Sequence, residues 1–288
     1  MNQAGLGSKL FNACNYIFLG FITLLTLFPF WDSLIVSITP ISESMSSNLH
    51  LFPKTITFEA YAYIAGMKQL WNSYGISIFV TVVGTILSMI VTTLAAYALS
   101  KSNLPGGRVI MFLIIFTMMF SGGIIPTYLV VKQLGMMNSV WAMIAPLMIQ
   151  TYNLIIMRTF MASVPESLEE AARIDGCGDF RILLQVVLPL AMPAIATISL
   201  FYAVAKWNEF FTAVMYVTDK DVWPLQLFMR AMLIDNEAMY QSGGDSPFLL
   251  GQSIKMASIM VSTIPVMLIY PFFQRYFVQG ATLGAVKE

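Results

Sequence analysis

The chain has 288 residues, 58% of them hydrophobic and 10% charged, with 15 basic and 15 acidic side chains and a formal net charge of +0. Soluble domains carry about 25% charged residues, so this chain has too little charge for a water-facing surface. The even balance also excludes a strongly basic nucleic-acid binder and an acidic tail protein. Two cysteines, Cys14 and Cys177, and one histidine, His50, leave no disulfide framework and no plausible zinc site. The solvent this composition implies is lipid.

Six windows lack Asp, Glu, Lys and Arg: 10–31, 69–100, 109–131, 133–157, 182–205 and 256–274. A membrane-crossing helix needs about 20 mostly apolar residues. The windows predict an all-α chain with six transmembrane helices, near 12–37, 74–100, 108–131, 138–160, 182–206 and 254–277. Backbone groups in lipid must bond within their own segment or within a closed barrel. These windows are too long and too continuously apolar for barrel strands. The first window reads as a span rather than a signal peptide. Its apolar stretch exceeds the usual length of about 7–15 residues, only Lys9 precedes it, and no small-x-small cleavage site follows. Phe11-Asn12-Ala13 before Cys14 is a poor lipoprotein cleavage box.

Orientation follows from the basic residues of the loops. With both termini inside, Lys9, Lys101, Arg108, Arg158, Arg173, Arg181, Arg275 and Lys287 lie inside. Lys54, Lys68, Lys132, Lys206, Lys220, Arg230 and Lys255 then lie outside, spread over longer segments. Basic density is therefore higher inside, and an N-in, C-in topology is expected. Trp31, Trp71, Trp141, Trp207 and Trp223 fall at or beyond the outer ends, as an interfacial aromatic belt does. Trp207 or Trp223 stacking on a sugar ring is the less favoured reading.

No acidic or basic residue occupies the middle of a predicted span. Proton- and ion-coupled carriers usually keep intramembrane carboxylates, so an ion-driven carrier is disfavoured. No G-x-x-x-x-G-K-[ST] phosphate loop is present. No paired carboxylates, Ser/His/Asp set or metal cluster marks an enzyme. If the chain transports actively, another chain supplies the energy. Pro189 and Pro193 are four apart in the fifth window, and each removes a backbone bond and favours a kink there.

The inner segment 161–181, between the fourth and fifth windows, differs from the rest. Ser163 is positioned to cap a short helix, Glu166 to complete a capping box, and Pro165 to sit in the first turn. Glu169 and Arg173 are spaced for a surface ion pair. Gly176 or Gly178 ends the helix through a positive φ. Leu168, Ala171, Ala172 and Ile174 give it apolar and small surface, which permits close approach by another body. By composition alone the segment also fits an ordinary amphipathic connector lying on the membrane.

Glu170-Ala171-Ala172, then Gly176, Val186 and Leu188-Pro189 at fixed spacing, resembles the signature of ABC importer permeases. Val186 stands where that pattern has Ile. Residues 274–287, which include Gln274-Arg275, Val278, Gly280, Gly284 and Val286-Lys287, are similar to the tail of the MalG-like subunits of carbohydrate importers. The stretch from Gly122 to Trp207 is most similar to the branch handling oligosaccharides and polysaccharide fragments. The resemblance covers the chain from about residue 70 onward.

It implies a type I ABC importer permease domain over 12–277, with family-like core 70–277 and cytoplasmic tails 1–11 and 278–288. It implies a coupling loop, 161–181, that docks on an ATP-binding subunit through Glu170, Ala171, Ala172, Gly176, Leu168, Ile174 and Asp175. It implies a tail that reaches the ATPase interface through Arg275, Gln279 and Gly280. In the outer segment 207–253, a loop over Gly243, Gly244, Asp245, Ser246 and Pro247 would enter the binding protein. The outer stretch 39–70, which holds His50, would be a second contact surface for it. The implied partners are a homologous second permease, two ATP-binding subunits that hold ATP and magnesium, an extracytoplasmic solute-binding protein, an oligosaccharide and membrane lipid. The implied location is a bacterial plasma membrane. The chain itself would hold no cofactor and catalyse nothing. Two other readings stay open: a permease of the same fold for another solute, and a membrane scaffold that binds an ATPase without forming a path.

Overall fold

The computed structural model describes residues 6–40, 52, 53, 55–241 and 252–285, and the described residues contain helices and no strand. The chain divides into two compact units, one of 1–68 with 229–264 and one of 69–228 with 265–288.

In the first unit, α1 (Leu6–Ser37) is a 32-residue helix that continues through Pro29. Most of its apolar side chains are exposed, from Leu10 to Leu34, as expected of a helix solvated by lipid rather than packed in a core. Its C-terminal end is fastened by local bonds. Ser37 Oγ pairs with Tyr61 Oη at 2.8 Å, close to the short α2 (Glu59–Ala65). The Thr57 amide donates to Ile38 O at 2.8 Å, and Ser253 Oγ donates to Thr39 O at 2.7 Å.

The second unit is organised on α3 (Lys68–Ser100), a 33-residue helix. Its buried face repeats every three or four residues through Ser73, Ser77, Val80, Gly84, Ser88, Thr92 and Ala96. That period belongs to one helical stripe, and its mostly small side chains let neighbouring helices approach closely. Two apolar clusters follow one another along it. Under the expected topology, the outer cluster gathers Val80, Val131, Ala142, Met143, Ile144, Ala213, Tyr216 and Leu227. The inner one gathers Ala96, Tyr97, Leu154, Met157, Met161, Ile182, Val187, Ile198 and Tyr202.

Three of the windows do not give straight helices. The window at 108–131 forms α4 (Gly107–Met119) and α5 (Ile124–Gln133), which meet at 114°. Gly123 sets the corner with φ of +90°, a conformation that suits glycine, and its amide donates to Ser121 Oγ. Pro126 then falls in the first turn of α5, where its missing N–H costs nothing. The window at 138–160 forms a four-residue α6 (Trp141–Ile144) and α7 (Thr151–Ala162), with Pro146 in the gap. After α8 (Glu166–Ile174) comes α9 (Asp179–Ile182), which passes through a π-helical segment (Leu183–Val187) into α10 (Leu188–Leu190). A bend of 85° separates this run from α11 (Met192–Trp207). The bend lies between Pro189 and Pro193, where the sequence places a kink.

The short α12 (Phe211–Tyr216), α13 (Leu225–Gln241) and α14 (Gln252–Ala285) complete the order. Two helices, α1 and α3, are long and apolar enough to cross a membrane alone, and up to four spans result if each bent pair is one.

Candidate coupling site

The candidate site is built on α8. It opens at Pro165, and no side chain caps it. The capping box expected of Ser163 and Glu166 does not form, because Ser163 Oγ donates back to Phe160 O at 2.7 Å and so completes α7 instead. Glu166 and Glu169 lie in the first turn, where negative charge offsets the unpaired amides of the helix start.

Gly176 ends α8 with φ of +82°, while Gly178 stays in the extended region. The Gly176 amide donates to Arg173 O at 3.0 Å and the Cys177 amide to Ala172 O at 2.9 Å. This bond pair defines the left-handed helix stop that glycine favours. Nothing lies within 4 Å of a side chain placed at Gly176. Its backbone conformation, not lack of space, is therefore what demands glycine. Ala172 and Cys177, paired across the stop, both pack on the inner cluster.

The predicted coupling residues divide by face. Leu168 is 44% and Ile174 87% exposed, and Glu170, Ala171, Asp175 and Gly176 are exposed with them. Only Ala172 turns partly inward. Leu168 and Ile174 thus leave apolar side chains bare on this short helix.

The surface pair expected of Glu169 and Arg173 does not form. Glu169 is buried and its carboxylate meets the Lys101 ammonium, just past the end of α3. Lys101 Nζ also lies 4.1 Å from the centroid of the Tyr97 ring. Arg173 instead meets Asp179 at 3.1 Å, tying α8 to the start of α9, with both side chains well exposed. Two residues before Lys101, Leu99 O accepts from Arg158 Nε of α7 at 3.1 Å. A cavity of about 160 Å³ adjoins these groups, lined among others by Ser100, Lys101, Asn103, Glu166, Glu169 and Arg173. Sequence reasoning missed Lys101, Tyr97 and Arg158. The available signal was Lys101 directly at the inner edge of a charge-free window.

Away from the loop, Lys206 in the last turn of α11 is 5% exposed rather than free in an outer loop. A side chain added at Gly84, midway along α3, would meet Lys206 Cδ at 2.5 Å and Cε at 2.8 Å. Its backbone sits at the end of a window, but its stem reaches the middle of α3. Trp207 is buried too, its ring centroid 6.2 Å from that of Tyr74. Trp207 thus departs from the belt expected on the surface, whereas Trp31, Trp71 and Trp141 are exposed.

Arg275, Gln279 and Gly280 belong to α14, but their side chains lie outside the described residues. Gly243, Gly244, Asp245, Ser246, Pro247 and His50 also lie outside them.

A helical membrane chain with a short exposed helix between α7 and α9, and with no phosphate loop of its own, fits the transmembrane subunit of a transporter driven by separate ATPases. Residues 84–282 match the family described as binding-protein-dependent transport system inner membrane component, and the chain belongs to it. It is 46% identical over 284 residues, 97% of this chain and 99% of the relative, to the polygalacturonan/rhamnogalacturonan transport system permease protein YtcP of Bacillus subtilis. It is 41% identical over 281 residues to protein LplC of the same organism, covering 97% and 95% of the two chains. Among solved structures, it matches a chain from a bacterial ABC transporter involved in the import of the acidic polysaccharide alginate, with a TM-score of 0.88 and 34% identity. That match covers 96% of this chain and 100% of the other. The protein is a permease subunit with a type I ABC permease fold, and ATP hydrolysis belongs to partner subunits.

Proposed function

We propose that this chain forms half of the translocation path of an ATP-driven importer for acidic oligosaccharides, fragments of uronic-acid polysaccharides. It crosses a bacterial plasma membrane six times with both termini inside. It pairs with a homologous permease, two ATP-binding subunits and an extracytoplasmic binding protein. The observation that carries the reading is α8, held to its own chain on one face and bare on the other.

Each part of α8 has a stated task. Leu168 and Ile174 supply apolar contact for an ATPase cleft, and Ala171 lets the two backbones approach. Glu170 faces outward and supplies a charged contact. Gly176 provides the turn that returns the chain to the membrane helices. Asp175 flanks it on the docking side. The tail residues Arg275, Gln279 and Gly280 extend the ATPase contact. The loop 243–247 enters the open binding protein from the other side. ATP-driven closure of the two ATPases moves α8, and the movement alternates the side to which the path opens.

The substrate class is supported by the relatives, which carry galacturonan and alginate importers in their names. Binding-protein-stimulated ATP hydrolysis by the reconstituted complex tests it. Oligogalacturonides should stimulate hydrolysis, and neutral arabino-oligosaccharides should not. Stimulation by neutral sugars alone would overturn the substrate class. No stimulation by any solute would overturn the importer reading.

A further inference from the structure

The loop that carries α8 is attached to the rest of its chain at a point outside the Glu170-Ala171-Ala172 motif. We infer that Lys101 and Glu169 form a strut that carries displacement of α8 directly into α3. The strut rests on the reading of α8 as the ATPase-docking helix and adds how the docking movement leaves the loop.

Without such a link, movement would pass through the packing of Ala172 and Cys177 and along the chain on either side of α8. Both chain routes are soft. One runs through the turn after Ser163, and the other through Gly176, Gly178 and a π-helical segment before an 85° bend. The ion pair bypasses them. Glu169 is 7% exposed, so its attraction to Lys101 is screened far less than that of a surface pair. The Tyr97 ring, one turn back on α3, holds the ammonium from the other side. Arg158 clamps α7 to the same stretch through Leu99 O. These ties converge on residues 97–101, at the end of an unbroken helix that carries both apolar clusters.

A shift of α8 therefore either drags α3 with it or strips a buried carboxylate of its cation, and the second is the costlier event. Neighbouring glutamates divide the work. Glu170 points out to a partner, and Glu169 points in to the chain. Lys101 and Glu169 are positioning residues, since they act through α8 on α3.

The test uses the complete transporter in proteoliposomes, with uptake and ATP hydrolysis measured on the same preparation. Lys101→Met and Glu169→Gln should lower uptake per ATP about tenfold, with the amount of assembled complex unchanged. Lys101→Arg, which keeps the charge, should preserve the ratio. The double variant Lys101→Glu with Glu169→Lys should recover most of it. Arg173→Ala breaks the exposed pair nearby and should leave the ratio unchanged. If Lys101→Met fails to assemble, Glu169→Gln, which removes the carboxylate charge at nearly the same shape, carries the test. An unchanged ratio in the single variants, a loss confined to assembly, or a double variant no better than the singles would overturn the strut. A wild-type complex with neither uptake nor stimulated hydrolysis would instead overturn the importer reading, and the strut with it.

Discussion

The two lysines at the α3 stripe, Lys101 at its inner end and Lys206 against its middle, are held in opposite ways. At the inner end polar groups find partners within the chain: Lys101 with Glu169, Arg158 with Leu99 O, and Thr92 with Tyr202 at 2.7 Å. The Tyr97 hydroxyl is an exception there, and Thr85 Oγ1 and Ser88 Oγ lie unpaired nearer the middle of α3. Toward the outer half, Ser77 Oγ accepts from the Leu225 amide at 2.7 Å, but Lys206 Nζ, Trp207 Nε1, Thr212 Oγ1 and Trp223 Nε1 are buried with no hydrogen-bond partner. A buried polar group left unpaired costs about 1–3 kcal/mol. Lys101 thus helps to hold the inner end together through Glu169, whereas Lys206 is buried without such a partner. The outer half keeps buried polar groups that its own packing leaves unpaired.

The most damaging change at the inner end is Gly176→Pro. Proline fixes φ near −65°, against the +82° observed, and removes the amide that bonds Arg173 O. Membrane insertion should persist while uptake falls to background, as transport in cells reads out. Full uptake would remove Gly176 from the coupling machinery.

Gly84→Leu attacks the middle of the stripe. The new side chain must displace the Lys206 stem and overpack the contact, costing about 1–3 kcal/mol. A clear drop in the melting temperature of the purified subunit is expected. Gly84→Ala should do less, because only the flexible end of Lys206 stands in its way.

Two lysine replacements separate the halves most sharply. Lys101→Met leaves Glu169 buried and unpaired. Discounted for the partial exposure of Lys101, the cost is about 1–2 kcal/mol. Lys206→Met removes an ammonium with no hydrogen-bond partner and keeps most of the stem. It should leave thermal stability unchanged or raise it, by about 1 kcal/mol. Equal destabilisation by both would erase the distinction between the two ends. At the small end of the scale, Arg173→Ala should cost less than about 1 kcal/mol, since the pair with Asp179 is exposed.

Much of this was legible in the residues. Charge-free windows locate α1, α3 and α14, and Pro189 with Pro193 marks the bend before α11. The motif from Glu170 to Pro189 leads directly to α8. Side-chain direction was not legible. Glu169 and Glu170 are adjacent, and no local pattern tells which turns toward the chain until Lys101 is placed beside the loop. For the same reason Glu169 was matched to Arg173, its neighbour along the helix, rather than to a cation 68 positions away. The corner at Gly123 and the break at Pro146 were also hidden, because apolar composition persists through them. Composition records solvent, and lipid surrounds a bent span as it does a straight one.

The docking of α8 on an ATPase subunit is the claim on which the rest depends, and site-directed crosslinking measures it most directly. With Cys14 and Cys177 replaced by serine, Ile174→Cys places a single thiol on the bare face of α8. In the assembled transporter, it should crosslink to the ATPase subunit, with a yield that changes between nucleotide-free and ATP-trapped states. A thiol at the exposed Leu129 of α5 should give no such product. An assembled, active transporter in which Ile174→Cys never reaches the ATPase would contradict the account.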